Sequence, residues 1–247
     1  MADFLRGGWT DRAAVLADLD GCLIAGNRVL PQVPALIETC GSRLWIVSNN
    51  STDTAAGLSQ RLAGMGLDHP ADRIVLAGEE TLRAVASERP GARVALFATP
   101  ALQALAQHLG LVAVNDRADV AVLARDTGFC FADLARLADI VGRGTPLWLT
   151  NPDPSHPDTD GRPVPETGAL FAALLAMLPD VAPRCIGKPA PDLIRKALAR
   201  AAVLPGAAVY IGDTPQTDGG AARAAGVEFV QIAAPIDAPR QLGAQSC

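Results

Sequence analysis

Two acidic residues, Asp18 and Asp20, directly follow the apolar run of residues 13–17. Side chains alternate along a strand, so two acids two positions apart point the same way if the strand continues through them. Carboxylates held that close require a cation between them or a proton on one of them. The pair therefore predicts either a nucleophile beside an acid–base group or a divalent metal site. Asp-Gly is also common in turns, so an acidic turn at the end of a strand is the alternative.

A polar segment follows an apolar run in two further places. Residues 45–50 end in Ser48, Asn49 and a second asparagine, whose hydroxyl and backbone N–H groups suit a phosphate oxygen. The alternative is a helix N-cap, for which these residue types are favoured. Residues 187–192 place Lys188 between a strand and a helix, beside prolines that stiffen the chain. A lysine at this edge of a parallel sheet suits a charged ligand, whereas an isolated lysine is usually solvated.

A fourth segment, residues 209–218, ends its apolar run at Asp213 and carries a second acid at Asp218. Asp213 would bind a metal and Asp218 would support it; a strand–turn–helix capped by Thr214 is the alternative. Ligands of open α/β sheets bind at the carboxyl ends of strands, which is where all four polar segments lie. Carboxylates, a hydroxyl and a lysine at one such edge fit phosphoryl transfer assisted by a divalent cation.

Apolar runs alternate with amphipathic stretches along the chain, which predicts an α/β protein with a mainly parallel sheet. The predicted strands are 13–17, 43–48, 73–76, 93–98, 119–124, 146–150, 184–187, 207–212 and 227–232. The predicted helices are 54–64, 79–88, 100–109, 131–141, 166–178, 191–201 and 216–225. Several of the strands are apolar almost throughout, as in residues 94–97, which indicates a sheet covered on both faces.

The bulk composition limits the class of protein. With 247 residues, of which 49% are hydrophobic and 19% charged, the chain suits one large or two small folded domains. The net charge of −5 argues against nucleic acid, and no apolar stretch has the length of a membrane span. We therefore expect neither nucleic acid nor a membrane as partner. Five cysteines without a C-x-x-C spacing argue against disulfides or zinc and favour a cytoplasmic location.

Residues 150–165 are rich in proline and interrupt the alternation of strands and helices. A rigid loop of this length in a compact protein is often functional. Asn151, Asp153 and His156 are therefore candidate substrate contacts. A proline-braced loop that satisfies its own polar groups is the alternative. The Asp-x-Asp-Gly of residues 158–161 follows no apolar strand, so we treat its similarity to the first acidic motif as coincidence.

These motifs resemble those of the haloacid dehalogenase-like superfamily. The similarity runs through Asp18-Leu-Asp-Gly-Cys-Leu, Ser48-Asn-Asn, Gly187-Lys-Pro-Ala-Pro and Gly212-Asp-Thr-Pro-Gln-Thr-Asp, and it covers most of the chain. The long interval between the second and third motifs resembles the α/β cap of the type IIA subgroup, which includes NagD-like and p-nitrophenyl phosphate phosphatases. The resemblance implies a Rossmann-like, doubly wound parallel sheet as the core, residues 1–76 plus 184–247, with an inserted α/β cap, residues 77–183.

The resemblance implies a hydrolase of phosphoric monoesters, in which Asp18 attacks phosphorus and forms an aspartyl-phosphate intermediate. Asp20 would protonate the leaving oxygen and then take a proton from the water that hydrolyses this intermediate. Ser48, Asn49 and Lys188 would bind the transferring phosphoryl group. Dehalogenation is disfavoured, because Asp20 supplies the acid–base group that the phosphatases of the superfamily need.

The resemblance also implies a Mg²⁺ cofactor. The ion would lie between Asp18, the backbone carbonyl of Asp20 and Asp213, with Asp218 as an outer support. Cys22 stands where the family usually has a threonine or valine. A thiol near the nucleophile leaves two interpretations, sensitivity to oxidation and an inert buried thiol, of which the second is favoured.

The expected substrate is a small sugar or polyol phosphate. Substrate choice would lie in the cap, and with only 4% aromatic residues the chain offers no evident stacking platform for a nucleobase or pyridoxal ring. A phosphatase with broad nucleotide or pyridoxal phosphate activity is the second hypothesis. A non-catalytic regulatory binding protein of the same fold is the third, disfavoured because no motif residue is missing. Relatives with this cap often dimerise, so a homodimer is a candidate assembly.

Overall fold

The computed structural model describes residues 8–157 and 162–232. In chain order its strands are β1 (Ala14–Ala17), β2 (Ile24–Ala25), β3 (Arg28–Val29), β4 (Leu44–Ser48), β5 (Ile74–Leu76), β6 (Arg93–Phe97), β7 (Val112–Ala113), β8 (Val120–Leu123), β9 (Leu147–Leu149), β10 (Ser155–Pro157), β11 (Pro163–Pro165), β12 (Arg184–Cys185), β13 (Ala208–Gly212) and β14 (Glu228–Gln231). Its α-helices are α1 (Val33–Cys40), α2 (Ala55–Gly64), α3 (Ala77–Glu88), α4 (Pro100–His108), α5 (Phe131–Gly142), α6 (Thr167–Leu175), α7 (Asp192–Ala201) and α8 (Gly220–Ala225). Strands and helices alternate, as the sequence predicts.

The main sheet has the strand order β14-β13-β1-β4-β5, and its neighbouring strands are parallel. Its central strand, β1, is buried on both sides. Ala14 and Leu16 pack into one apolar cluster, whereas Val15 and Ala17 pack into another on the opposite face. This arrangement explains why the strand is apolar throughout instead of alternating, because both faces of the sheet are covered. The predicted Rossmann-like fold class is confirmed.

A second parallel sheet has the order β12-β9-β8-β6-β7. On one face it packs against α5 and α6, through an apolar cluster that includes Leu137 and Leu174. On the other face, side chains such as Val94 and Val122 share one cluster with α3, α4 and the main sheet. Two short antiparallel hairpins, β2–β3 and β10–β11, complete the pairing among the described residues. The predicted inserted α/β unit is therefore present.

The carboxyl ends of the two sheets face each other. The Thr99 hydroxyl, just after β6, donates a 2.7 Å hydrogen bond to the Thr52 carbonyl in the loop after β4. The Arg125 N–H, just after β8, donates to Ser51 Oγ in the same loop at 3.3 Å. Ligand sites of α/β sheets lie at this edge, so a cleft between the sheets can contact a ligand from both sides.

All nine predicted strands are present, each within two residues of its predicted limits. The strand does not continue through the acidic pair, however, because β1 ends at Ala17 and the next residues form a turn in which the Gly21 N–H donates to the Ile24 carbonyl. The helix predicted over 216–225 is a π-helical turn, Pro215–Gly219, followed by α8. Residues 158–161 lie outside the described residues.

The domain limits, 1–76 with 184–247 and 77–183, stay a prediction. Hydrogen-bond pairing places Arg184 and Cys185 beside Trp148 and Leu149 of the second sheet, two residues beyond the predicted limit. A strand of two residues carries too little pattern to reveal its sheet from sequence. In the part of the chain that the structure describes, no helix combines the length and the apolar character needed to cross a bilayer.

Candidate active site

The ammonium group of Lys188 is buried between two carboxylates. Its Nζ lies 2.6 Å from Asp18 Oδ1 and 2.6 Å from Asp218 Oδ1, and it donates a third hydrogen bond of 2.9 Å to the Tyr210 hydroxyl. An ammonium has three N–H donors, so these three partners satisfy it completely. Lys188 is only 3% exposed. The alternative that this lysine is solvated is therefore wrong.

Strand ends, and the turns that follow them, bring these groups together. Asp18 follows β1, and its backbone N–H donates a 2.9 Å hydrogen bond to the Ile211 carbonyl of the neighbouring β13. Asp218 lies in the turn after β13, where its Oδ2 accepts from the Thr214 N–H at 3.1 Å. Lys188 follows β12. The structure thus brings together three of the predicted polar segments, two from the main sheet and one from the second sheet, where the carboxyl ends of the two sheets meet.

Two glycines allow the backbone to approach the acids closely. A Cβ at Gly212 would lie 2.3 Å from Asp218 Oδ2, so any side chain there would displace that carboxylate. A Cβ at Gly21 would lie 2.4 Å from Asp213 Oδ2, and its φ of +82° is a conformation that favours glycine. The glycine of each acidic motif therefore has a steric role in shaping the site.

Asp18, Asp213 and Asp218 form the acidic cluster of the site. Each offers one carboxylate oxygen, and the three oxygens lie within 4.8 Å of one another. Hard divalent cations such as Mg²⁺ prefer oxygen donors, so this donor set fits such an ion. Asp218 belongs to the cluster itself, although the sequence placed it in an outer position. The side chain of Asp20 does not belong to the cluster.

Burial dominates the electrostatics of this cluster. It raises the pKa of Asp18 well above its ordinary value, and the Lys188 ammonium only partly opposes that effect. Burial disfavours the charged form of Lys188, but Asp18 and Asp218 together outweigh it and raise the pKa of Lys188 well above its ordinary value. The pKa of Asp213 is raised by burial and further by the Asp218 carboxylate. Three acids share one ammonium, and the excess negative charge favours a divalent cation.

The side chain of Asn49, directly after β4 of the main sheet, bonds to two segments that follow strands of the second sheet. Its Oδ1 accepts a 2.7 Å hydrogen bond from the Lys188 N–H, and its Nδ2 donates to the Lys188 carbonyl at 2.9 Å. The same Nδ2 donates to Asp153 Oδ2 at 2.8 Å. These bonds engage the amide within the protein. The predicted phosphate contact of Asn49 would therefore use its backbone N–H.

Ser48 is buried at the end of β4, and its Oγ accepts a 3.1 Å hydrogen bond from the Asn50 N–H. The alternative that this segment caps a helix is wrong. Helix α2 begins only at Ala55, and its N-cap is Thr54, whose hydroxyl accepts from the Gly57 N–H at 3.1 Å. The buried position of the serine hydroxyl, beside the main-sheet edge, agrees with its predicted place in the site.

The side chain of Asp20 is exposed to solvent, while protein surrounds it at longer range. This surrounding protein raises its pKa, and the charges of His156 and Arg61 only partly offset the effect. A carboxyl with a raised pKa holds its proton at higher pH, which suits a general acid. The side chain of Asp20 is therefore separate from the acidic cluster, and the charges of His156, Arg61 and Glu166 act on it.

Cys22 is 1% exposed, and its Sγ lies 3.8 Å from the Ile211 carbonyl oxygen. Burial raises the pKa of this thiol well above its ordinary value, so the reactive thiolate is disfavoured. Of the two interpretations of Cys22, the structure supports the inert buried thiol. The structure shows no contact of the site that is disrupted by a cysteine at this position of the motif.

The segment after β9 carries the three predicted substrate contacts. Asn151 is buried, donating to Asp153 Oδ2 at 3.2 Å and accepting from the Thr150 hydroxyl at 2.9 Å. Asp153 and His156 are half-buried, and His156 Nδ1 lies 2.7 Å from Glu166 Oε1. The loop thus satisfies some of its own polar groups, in partial agreement with the alternative of a self-satisfied loop. Asp153 and His156 are the more accessible of the three candidate substrate contacts.

Sequence reasoning missed Tyr210 and Glu166. Tyr210 lies within an apolar run, where a tyrosine is ordinarily a core residue, and only its position three residues before Asp213 hints at the site. Glu166 lies 3.4 Å from Arg125 Nε as well as beside His156, and its charge acts on Asp20. Its signal in the sequence is weak, because it follows a proline-rich loop and is the first residue of the predicted helix 166–178.

Comparisons with known proteins agree with this geometry. A family model described as haloacid dehalogenase-like hydrolase matches residues 15–112, and a second, HAD-hydrolase-like model matches residues 185–246. D-glycerol 3-phosphate phosphatase of Mycobacterium tuberculosis is 32% identical over 225 residues, which is 88% of this chain. The chain spans only 62% of the length of that relative. Acid sugar phosphatase of Staphylococcus aureus is 29% identical over 83% of this chain and 80% of its own.

A solved structure is also similar throughout the described fold. The glycerol phosphate phosphatase of Mycobacterium tuberculosis in complex with magnesium superposes with a TM-score of 0.83 and 29% identity, over 92% of this chain and 69% of the other. The motifs, the two sheets and these matches together place the chain in the haloacid dehalogenase-like superfamily, in its type IIA subgroup. The predicted membership is confirmed.

Proposed function

We propose that this chain is a Mg²⁺-dependent phosphomonoesterase that acts through an aspartyl-phosphate intermediate. The observation that carries the proposal is the buried Lys188 ammonium between Asp18 and Asp218, with Asp213 completing an all-oxygen cluster. A buried lysine beside a carboxylate at the carboxyl edge of a parallel sheet suits a substrate with several negative oxygens. The four free cysteines of the described residues support a reducing, cytoplasmic compartment.

The residues of the chain divide the reaction between them. Asp18 attacks phosphorus with a carboxylate oxygen, and the bond from phosphorus to the leaving oxygen breaks. Asp20 gives its proton to that leaving oxygen, then takes a proton from the water that attacks the acyl phosphate. Ser48, the Asn49 backbone and Lys188 hold the phosphoryl oxygens. The acyl phosphate opens to inorganic phosphate and the free Asp18 carboxylate.

The ion would be held by Asp18 and Asp213, with the Asp20 carbonyl completing its protein ligands as the motif implies. Its positive charge would offset the repulsion between the carboxylates and the phosphoryl oxygens. Asp218 is close enough to join these ligands or to hold Lys188 beside them. The magnesium complex of the mycobacterial phosphatase supports the choice of metal.

The leaving group would face residues 77–183, which we propose to act as the cap. The segment after β9 carries polar side chains for such a contact: His156, which lies beside Glu166 and acts on Asp20, and Asp153, which Asn49 orients. Such donors and acceptors suit the hydroxyl groups of a sugar or polyol phosphate. The matches to phosphatases of glycerol phosphate and of acid sugars support the same substrate class.

Phosphate release tests the proposal. The purified protein is assayed with Mg²⁺ on glycerol phosphates, sugar phosphates, nucleotides, pyridoxal 5′-phosphate and p-nitrophenyl phosphate. We expect turnover that chelation and Asp18→Asn abolish, while the exposed control Asp72→Asn retains it. A preference for nucleotides or pyridoxal phosphate would overturn the substrate class alone. No release from any ester by folded, metal-loaded protein would overturn the enzyme and favour a binding role.

A further inference from the structure

Tyr210, the single tyrosine of the chain, lies beneath the lysine of the site. It is 0% exposed on β13, yet its hydroxyl makes three polar contacts. The hydroxyl oxygen lies 2.9 Å from Lys188 Nζ, 2.9 Å from the Val47 carbonyl oxygen of β4 and 3.4 Å from Asp218 Oδ1. Nothing in the proposed reaction yet uses this residue.

The chemistry of the partners fixes the direction of the two shorter hydrogen bonds. An ammonium can only donate and a carbonyl oxygen can only accept. Tyr210 therefore accepts from Lys188 and donates its single proton to the Val47 carbonyl, which is a nearer acceptor than Asp218 Oδ1 at 3.4 Å. The Val47 carbonyl belongs to a strand inside the main sheet, so it holds the hydroxyl in a fixed orientation. The ring lies close as well, with its centroid 5.5 Å from Lys188 Nζ, a distance at which cation–π attraction contributes.

We propose that Tyr210 is a positioning residue for Lys188, an inference that rests on the proposed function. When a phosphoryl group lies beside Asp18, the N–H of Lys188 that points to Asp18 can turn to a phosphoryl oxygen. The N–H groups directed at Tyr210 and Asp218 keep their partners, so the ammonium stays aimed at the reacting group. A fixed donor stabilises transition-state charge better than one that must reorganise.

The variant Tyr210→Phe tests this role, because it keeps the ring and removes only the hydroxyl, which accepts from Lys188 and donates to the Val47 carbonyl. A hydrogen bond to a charged group contributes enough that we expect about a tenfold loss in kcat and in affinity for orthovanadate, which mimics the transition state. KM should change less, since ground-state binding depends less on the orientation of Lys188. Ser59→Ala is the matched control, because it removes a hydroxyl-to-carbonyl bond of 2.7 Å, to His69, away from Lys188.

A spectroscopic readout separates positioning from a loss of stability. The chain has only two lysines, Lys188 and Lys196, so protein with isotope-labelled lysine gives two side-chain signals that are easily assigned. In Tyr210→Phe the Lys188 signal should shift, while the signal of Lys196, which pairs with Glu80 at 3.2 Å, stays in place. Wild-type values of kcat and orthovanadate affinity in Tyr210→Phe, or losses no larger than those of Ser59→Ala, would overturn the inference.

The wild-type protein provides a second measurement if Tyr210→Phe does not fold. A nuclear Overhauser effect between the Lys188 ε-methylene and the Tyr210 ring should persist when orthovanadate binds. Its disappearance would show that Tyr210 releases the lysine in the bound state, which overturns the role. Wild-type protein that neither hydrolyses p-nitrophenyl phosphate nor binds orthovanadate overturns the proposed function, and this inference with it. An active wild type with an unaffected Tyr210→Phe overturns only the inference.

Discussion

Asn49 donates a 2.8 Å hydrogen bond to Asp153. The two residues are more than one hundred positions apart in the chain and follow strands of different sheets. The same amide holds the backbone of Lys188 through its N–H and its carbonyl. One side chain thereby fixes the lysine relative to the loop after β9. The position of that loop over the main sheet and the position of the lysine are consequently linked.

Exchanging the donor and the acceptor of the Asn49–Asp153 pair takes two substitutions. The first alone should lower the activity of the enzyme, and both together should partly restore it. Asn49→Asp places two carboxylates in contact and removes the donor to the Lys188 carbonyl. We expect kcat/KM for p-nitrophenyl phosphate to fall about tenfold to a hundredfold. Asn49→Asp combined with Asp153→Asn returns a donor and an acceptor to the pair, so the double variant should exceed Asn49→Asp alone.

The matched control is Asn115→Asp, an equivalent change whose Oδ1 accepts from Arg136 on the exposed side of the second sheet. It should leave kcat/KM unchanged. If Asn49→Asp behaves like Asn115→Asp, or if the double variant is no better than Asn49→Asp, the link between loop and lysine has no part in turnover.

Asp20 and Asp18 should give different kinetic defects. Asp20→Asn removes the proton donor, so hydrolysis of an alkyl ester such as glycerol phosphate should fall about 100-fold to 10,000-fold. p-Nitrophenolate leaves without protonation, so this variant should release one equivalent of it per site in a burst before slow turnover. Asp18→Asn should give no burst, because no covalent intermediate can form. Rapid-quench measurement of p-nitrophenol shows whether each variant gives a burst. A burst from Asp18→Asn would contradict the assignment of the nucleophile.

Mg²⁺ should stabilise the folded protein through the acidic cluster. Saturation to about 100 times the dissociation constant adds about 2.7 kcal/mol, which raises Tm by about 5–10 °C for a chain of this size. Asp213→Asn should lose most of this rise, since it removes a half-buried ligand without touching Lys188. Thermal scans with and without metal measure it, with Asp72→Asn as the exposed acidic control. An undiminished rise in Asp213→Asn would place the ion elsewhere.

The strands of both sheets could be predicted because buried parallel strands are short, nearly continuous apolar runs. Helix α1 could not, since it spans only eight residues, Val33–Cys40, and its N-cap residue Gln32 makes no side-chain cap hydrogen bond. Its helical pattern is short, and the proline in its first turn is a weak start signal without a serine, threonine, aspartate or asparagine before it. Tertiary packing of Val33 and Leu36 against the core stabilises it instead.

The convergence of Asp18, Lys188, Asp213 and Asp218 followed from their common place at strand ends. The sequence did not predict the relation of Asp18 to Asp20 correctly. That prediction assumed that the strand continues through both residues, whereas β1 ends at Ala17 and a turn follows. The role of Tyr210 could not be predicted, because an apolar strand pattern indicates only that a side chain is buried. A buried hydroxyl points to a site only when its hydrogen-bond partner is known. Contacts between distant segments are set by packing of the two sheets, which no local pattern encodes.

His69 should make stability depend on pH. It is 3% exposed, and its Nε2 has no hydrogen-bond partner among the described residues, so a second ring proton would be buried without an acceptor. Burial accordingly lowers the pKa of His69 below the value of about 6.5 expected in the unfolded chain. The unfolded state then binds the proton more readily, so this contribution to stability is present above pH 6.5 and is lost as pH falls toward the folded pKa.

His69→Asn keeps a polar side chain and cannot titrate in this range, so it isolates the effect. We expect the free energy of unfolding of the wild type to fall relative to His69→Asn as pH drops below about 6.5, by at most about 1.4 kcal/mol per pH unit. The raised pKa values of Asp18, Asp20 and Asp213 act in the opposite direction but cancel in this difference. Urea unfolding at several pH values gives the comparison, with the exposed His108→Asn as control. A difference between wild type and His69→Asn that stays constant from pH 7.5 to 5 would mean that His69 accepts its second proton in the folded protein.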